Sequence, residues 1–90
     1  MASNSNGYIL DLDHTNNPED SIRVWIGALW QMQITTKLDN VAIFNLAEKR
    51  MIGIVYMWWR TPPQEEREEV IKVGLEVFEQ LLKTQFCIEP

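Results

Sequence analysis

Met51-Ile52-Gly53-Ile54-Val55-Tyr56-Met57-Trp58-Trp59 is the most hydrophobic run of this 90-residue chain, and its conformation decides the fold. Read with a period of two, Ile52, Ile54, Tyr56 and Trp58 line one face, and Met51, Val55, Met57 and Trp59 line the other with Gly53. Both faces are apolar, which predicts a strand covered on each side. A chain of this length makes one domain and buries roughly two-thirds or less of its unfolded surface. A three-layer core is hard to build from so little, so one face is expected to meet a second subunit.

The neighbouring segments extend this reading. Residues 41–46 form a second strand candidate, and Ala47-Glu48-Lys49-Arg50 has the length of a hairpin loop, although it lacks an Asn-Gly or Asp-Gly turn. Downstream, Pro62-Pro63 makes a corner, and Thr61 with Gln64 fits a capping box opening a helix. In that helix Ile71, Leu75, Phe78 and Leu82 form one ridge and Val70, Val77 and Leu81 the next. Glu68-Lys72 and Glu79-Lys83 sit at i,i+4 on its solvated side. Gly74 lies mid-helix on the apolar face, where its expected use is close approach of a sheet or second helix.

Upstream, residues 1–7 read as a flexible tail and 8–12 as a short strand. Asn17-Pro18-Glu19-Asp20 supplies an N-cap, a proline at the first helical position and two acids in the first turn, so a helix begins at Pro18. Ile22, Trp25, Ile26 and Leu29 share its inner face, while Arg23, Gly27 and Gln31 recur every four residues as a narrow polar stripe, which predicts a largely buried helix. From Trp30 the period changes, with Trp30, Met32 and Ile34 alternating with Gln31, Gln33 and Thr35. The helix is therefore expected to stop near Gln31; a competing reading makes 22–36 two strands broken near Gly27. The expected architecture is α+β: an N-terminal strand, a helix, an antiparallel β-hairpin and a C-terminal amphipathic helix packed on a small sheet. The domain spans 8–84, with a C-terminal tail at 85–90.

Composition bounds the function. Hydrophobic residues make up 46%, including four Trp, three Phe and four Met, a load that a small core hides with difficulty. The net charge of −5 opposes non-specific nucleic-acid binding, but it is unevenly spread. Residues 1–20 carry four acids and no base, 21–60 five bases against two acids, and 61–80 six Glu against Arg67 and Lys72. With one cysteine, Cys87, no intramolecular disulfide is possible, and a reducing, cytoplasmic setting is expected. Neither a signal-peptide pattern nor an apolar stretch long enough to span a bilayer is present, so no membrane partner is expected.

Chemistry has one candidate motif. Tyr8-Ile9-Leu10-Asp11-Leu12-Asp13-His14-Thr15 is a hydrophobic strand ending in Asp-x-Asp-x-Thr. It resembles the first motif of haloacid dehalogenase-like phosphotransferases. The resemblance implies Asp11 as the nucleophile toward phosphorus, Asp13 as general acid/base, both helping to hold Mg²⁺, and Thr15 as the following hydroxyl. It covers eight residues; His14 stands in place of the family's glycine and Asn16 in place of its apolar residue. The remaining chain is too short for the parallel sheet that carries the later motifs. A Mg²⁺-dependent phosphotransferase centred on Asp11 and Asp13 is thus a remote alternative. No histidine or cysteine pair has zinc-ligand spacing and the glycines form no phosphate loop, so no catalytic residue, metal or cofactor is expected.

The leading expectation is a non-enzymatic protein–protein interaction module, an adaptor, inhibitor or assembly protein, that forms a homodimer or larger assembly through an apolar sheet or helix face. The interface is expected at Val55, Met57, Trp58, Trp59, Arg60 and Gly74, because Trp and Arg dominate buried interface centres. The alternative is a small nucleic-acid-binding protein that uses a basic hairpin, Lys49, Arg50 and Arg60, beside an exposed Trp.

Overall fold

A computed structural model describes residues 9–87. The readings placed on Tyr8, on the tail 1–7 and on residues 88–90 lie outside them. Five helices follow in order: α1 (Pro18–Thr36), α2 (Asn40–Lys49), α3 (Gly53–Arg60), α4 (Gln64–Val73) and α5 (Leu75–Phe86). Among the described residues there is no named strand, and β-type pairing is confined to one isolated parallel bridge between Leu10 and Met51. The architecture is all-α, which overturns the expected α+β fold and its antiparallel hairpin.

The error lies in two short apolar runs. Residues 41–46 belong to α2, whose first turn is capped by Asp39 as its carboxylate accepts the Ala42 N–H at 2.9 Å. The supposed hairpin loop, 47–50, is the end of that helix and its C-cap. Most of the second supposed strand is α3. As a strand 51–59 needed cover on both faces. As a helix it turns Val55 and Trp59, four residues apart, onto one buried side, and a compact bundle covers that side directly.

α1 begins where expected: the Asn17 side chain accepts the Asp20 N–H at 3.2 Å, and Pro18 occupies the first turn. It does not stop near Gln31 but runs to Thr36, so the alternation after Trp30 is not a strand. The helix ends at Lys37, whose φ of 57° is left-handed and whose N–H donates to the Gln33 carbonyl. The Leu38 N–H donates to the same carbonyl at 3.1 Å.

The C-terminal helix is two helices. Gly74 has φ 117° and ψ −168°, a conformation essentially reserved for glycine, and it ends α4 and starts α5. A Cβ at Gly74 would meet the Asn40 side chain at 3.5 Å, an ordinary contact, so backbone conformation rather than close approach is its use. Asn40 donates to the exposed Lys72 carbonyl at 3.3 Å and ties the break to α2. Gly74→Ala is expected to cost about 1–3 kcal/mol in chemical denaturation; an unchanged midpoint would remove the strained break from this account. The capping box is also absent, since Pro63 takes the N-cap of α4 without a side-chain bond. Thr61 Oγ1 donates instead to the Met57 carbonyl at 2.7 Å. The Glu79–Lys83 pair forms at 3.3 Å, while Lys72 reaches Glu69 and Glu68 accepts from Gln64.

The core lies between α1 and α5, which make the most extensive helix pairing, with α2, α3 and the extended segment through Leu10 and Leu12 closing it. Phe78 stands at its centre. Its ring lies 5.0 Å from Trp59, 5.1 Å from Phe44, 6.1 Å from Trp25 and 6.2 Å from Trp58. No polar or charged residue among those described is buried, so the core is held by apolar packing.

Candidate interaction surface

The helical register of α3 redistributes the residues expected at an interface. Val55 and Trp59 point into the core, at 0% and 4% exposure, while Met57 points out at 68%. A strand would have placed all three on one face; at about 100° per residue Met57 falls opposite the other two. Trp58 is half-buried, stacked on Phe78 with planes 16° apart and edge-on to Phe86 at 5.6 Å. Neither tryptophan of the pair is left over as an exposed platform.

Arg60 is exposed and paired, with Nη1 donating to Glu48 Oε2 at 2.5 Å. Gly74 is buried at the α4–α5 break. Lys49 and Arg50 sit at the C-terminal end of α2, where positive charge favours the helix dipole, and not on a hairpin. Trp58 and Trp59 stay in ring contact at 6.2 Å and Val55 shares the buried side of Trp59, but the expected residues do not form one exposed face.

Two other surfaces carry exposed apolar side chains. On the first, Ile54, Tyr56 and Met57 face outward from α3 beside Ile52. The Leu10–Met51 bridge adds Ile9: the bridged pair points into the core, so its neighbours Ile9 and Ile52 emerge on the other side, both a little over 40% exposed. The bridge is held by the Leu10 N–H donating to the Arg50 carbonyl at 2.7 Å and the Ile52 N–H donating to the Leu10 carbonyl at 3.3 Å.

The second surface is the outer side of α1, where Val24, Trp30 and Ile34 are exposed around Gly27 among Gln31 and the ion-paired Asp20 and Arg23. The period-two reading concealed it. The spacing Gly27-x-x-Trp30-x-x-x-Ile34 is the signal that reveals it once the helix is carried to Thr36.

Between α2 and α4 runs an open groove of about 1090 Å³, with Leu38, Val41 and Ile71 among Gln33, Asn40, Asn45 and Gln64. Its polar groups largely satisfy one another. Gln33 donates to Asn40 Oδ1 at 3.0 Å, Gln64 to Glu68 Oε2 at 2.9 Å, and the Arg60–Glu48 pair closes one end. None of its lining residues is a serine, threonine, cysteine or histidine.

The Asp-x-Asp segment has structural uses for both carboxylates. Asp13 Oδ1 accepts the Ile54 N–H at 3.4 Å and so caps α3 from across the chain. Gly53 begins α3 at φ 66°, and a Cβ there would collide with the Asp13 carboxylate, which accounts for a glycine at that position. Asp11 accepts the Asp13 N–H and, from His14 Nδ1, a second bond at 3.1 Å. Thr15 Oγ1 accepts the Asn17 N–H and meets the Ser21 hydroxyl. The parallel sheet on which a phosphotransferase of the resembled family is built has no counterpart among the described residues. Nor do three or more Asp, Glu, His or Cys side chains gather there to hold a metal ion.

The hydrogen bond from His14 lowers the Asp11 pKa, and the same bond, with the Asp11 charge behind it, raises that of His14. A raised histidine stabilises the fold below its ordinary value and loses that contribution as pH rises through the raised one. A lowered aspartate contributes above its ordinary value and loses that as pH falls through the lowered one. The pair is thus most effective between the ordinary values of 3.8 and 6.5. An NMR titration is expected to give His14 a higher midpoint in the native chain than in Asp11→Asn; equal midpoints would dissolve the pair.

Compared with family models, curated proteins and solved structures, the chain matches none of them. Among the described residues no helix is long and apolar enough to cross a membrane.

Proposed function

We propose that this chain is a non-enzymatic interaction module, an adaptor, inhibitor or assembly protein, that self-associates through an exposed apolar helix face. The observation carrying this reading is that Val24, Ile34, Ile54 and Met57 each stay 45% or more exposed, with Trp30 at 40%, beside a fully apolar core. Apolar area removed from water is worth about 25 cal/mol per Å², so covering these side chains favours association. The single Cys87 supports a reducing, cytoplasmic setting. The nucleic-acid alternative loses its hairpin and has Arg60 paired to Glu48, so that geometry lends it no support.

The reading is tested by solution mass from light scattering across a concentration series under reducing conditions. A dimer or larger species that grows with concentration is expected. A monomer at every concentration would overturn it.

A further inference from the structure

Gly27 sits in the middle of α1, where a Cβ would meet nothing within 4 Å. Its backbone is not left-handed, and glycine inside a helix is less favourable than alanine. Among the described residues nothing in one copy uses the missing side chain. Around this notch stand Val24, Trp30 and Ile34, at 54%, 40% and 68% exposure. At about 100° per residue, Arg23, Trp30 and Ile34 flank Gly27 on one side and Asp20, Val24 and Gln31 on the other.

We infer that a second copy of this chain docks on the outer face of α1, the two α1 helices running antiparallel about a two-fold axis at Gly27. This rests on the self-association reading and names the surface. A two-fold axis perpendicular to both helices keeps like flanks together, so Trp30 of each copy comes beside Arg23 of the other, whose guanidinium is ion-paired with Asp20 of its own helix and still presents a cation to the indole. Val24 lies at the same level across the seam. The facing glycines let the helices approach at or below the lower end of the usual spacing of about 8–10 Å.

Charge fixes the direction. α1 has Glu19 and Asp20 in its first turn, no base in its last turn, and Lys37 at its C-cap. Antiparallel pairing sets Lys37 of one copy next to Glu19 of the other on the same flank, whereas parallel pairing would bring acid to acid and lysine to lysine. A single helix pair belongs to the small class of interfaces, so the dimer dissociates on dilution.

The experiment is sedimentation equilibrium on the full chain and on Trp30→Glu, Gly27→Ala and Met57→Glu, with circular dichroism on each to follow folding. Trp30→Glu is expected to weaken the dimer roughly thirtyfold or more. Gly27→Ala is expected to weaken it as well while raising the melting temperature of the monomer, because its Cβ enters open space in one copy and the seam in two. Met57→Glu is expected to leave it intact. A dimer that Met57→Glu breaks and both α1 variants spare would overturn the α1 surface and keep self-association. A wild type that is monomeric throughout would overturn both.

Discussion

Phe78→Ala is expected to destabilise the protein by about 3–5 kcal/mol, the usual cost of deleting a fully buried aromatic side chain. Phe78 is 0% exposed and lies within ring-contact range of Trp25, Phe44, Trp58 and Trp59, which belong to three other helices. The loss therefore falls where α1, α2, α3 and α5 meet. Small domains are stable by only about 5–15 kcal/mol, so the variant should unfold at low denaturant or be unfolded near room temperature. Urea titration monitored by tryptophan fluorescence reads the effect. A cost below about 1 kcal/mol would mean that the four rings do not converge on Phe78.

The second large effect separates two residues two positions apart. Val55→Asp should cost about 4 kcal/mol or more, because it places an unpaired carboxylate at a site with no exposure. Met57→Asp should change stability by no more than about 0.5 kcal/mol, since that side chain stands 68% exposed on the opposite side of α3. In a strand the two would share a face and respond alike. Equal losses in the two variants would return residues 51–59 to a strand.

The contrast marks where the sequence was legible. Local chemistry announced α1: Asn17 caps it, Pro18 opens it, and Ile22, Trp25, Ile26 and Leu29 are its buried residues. The ridge Leu75, Phe78, Leu82 was equally plain, and these are the buried residues of α5. Both helices carry 3.6-residue periodicity over more than two turns, and period is the strongest signal a sequence holds.

Residues 41–59 lacked it. Val41, Ile43, Phe44, Ile52, Ile54 and Val55 are β-branched or aromatic, and short apolar runs of that kind cannot be told from buried helix by periodicity. The tie-breakers were the Asp39 cap, the helix-forming Ala47-Glu48-Lys49-Arg50 and the absence of a hairpin turn between the runs. Gly74 was singled out rightly as unusual but for the wrong property, because a left-handed angle leaves no mark on periodicity. The surface around Gly27 is legible only in part: Arg23, Gly27 and Gln31 read as a narrow polar stripe, and Ile34 joins the face only because α1 runs past Gln31 to its Lys37 cap.

The all-α fold and the assignment of inward and outward residues on α2 and α3 depend on the conformation of the segment from Asn40 to Arg60, so the most direct measurement is its Cα and Cβ chemical shifts in the full chain. Helix predicts downfield Cα shifts across α2 and α3, interrupted between Arg50 and Ile52 where the chain bridges to Leu10. Upfield Cα and downfield Cβ shifts over residues 41–46 and 52–59, the signature of two strands, would contradict the all-α fold and the α3 surface drawn from it.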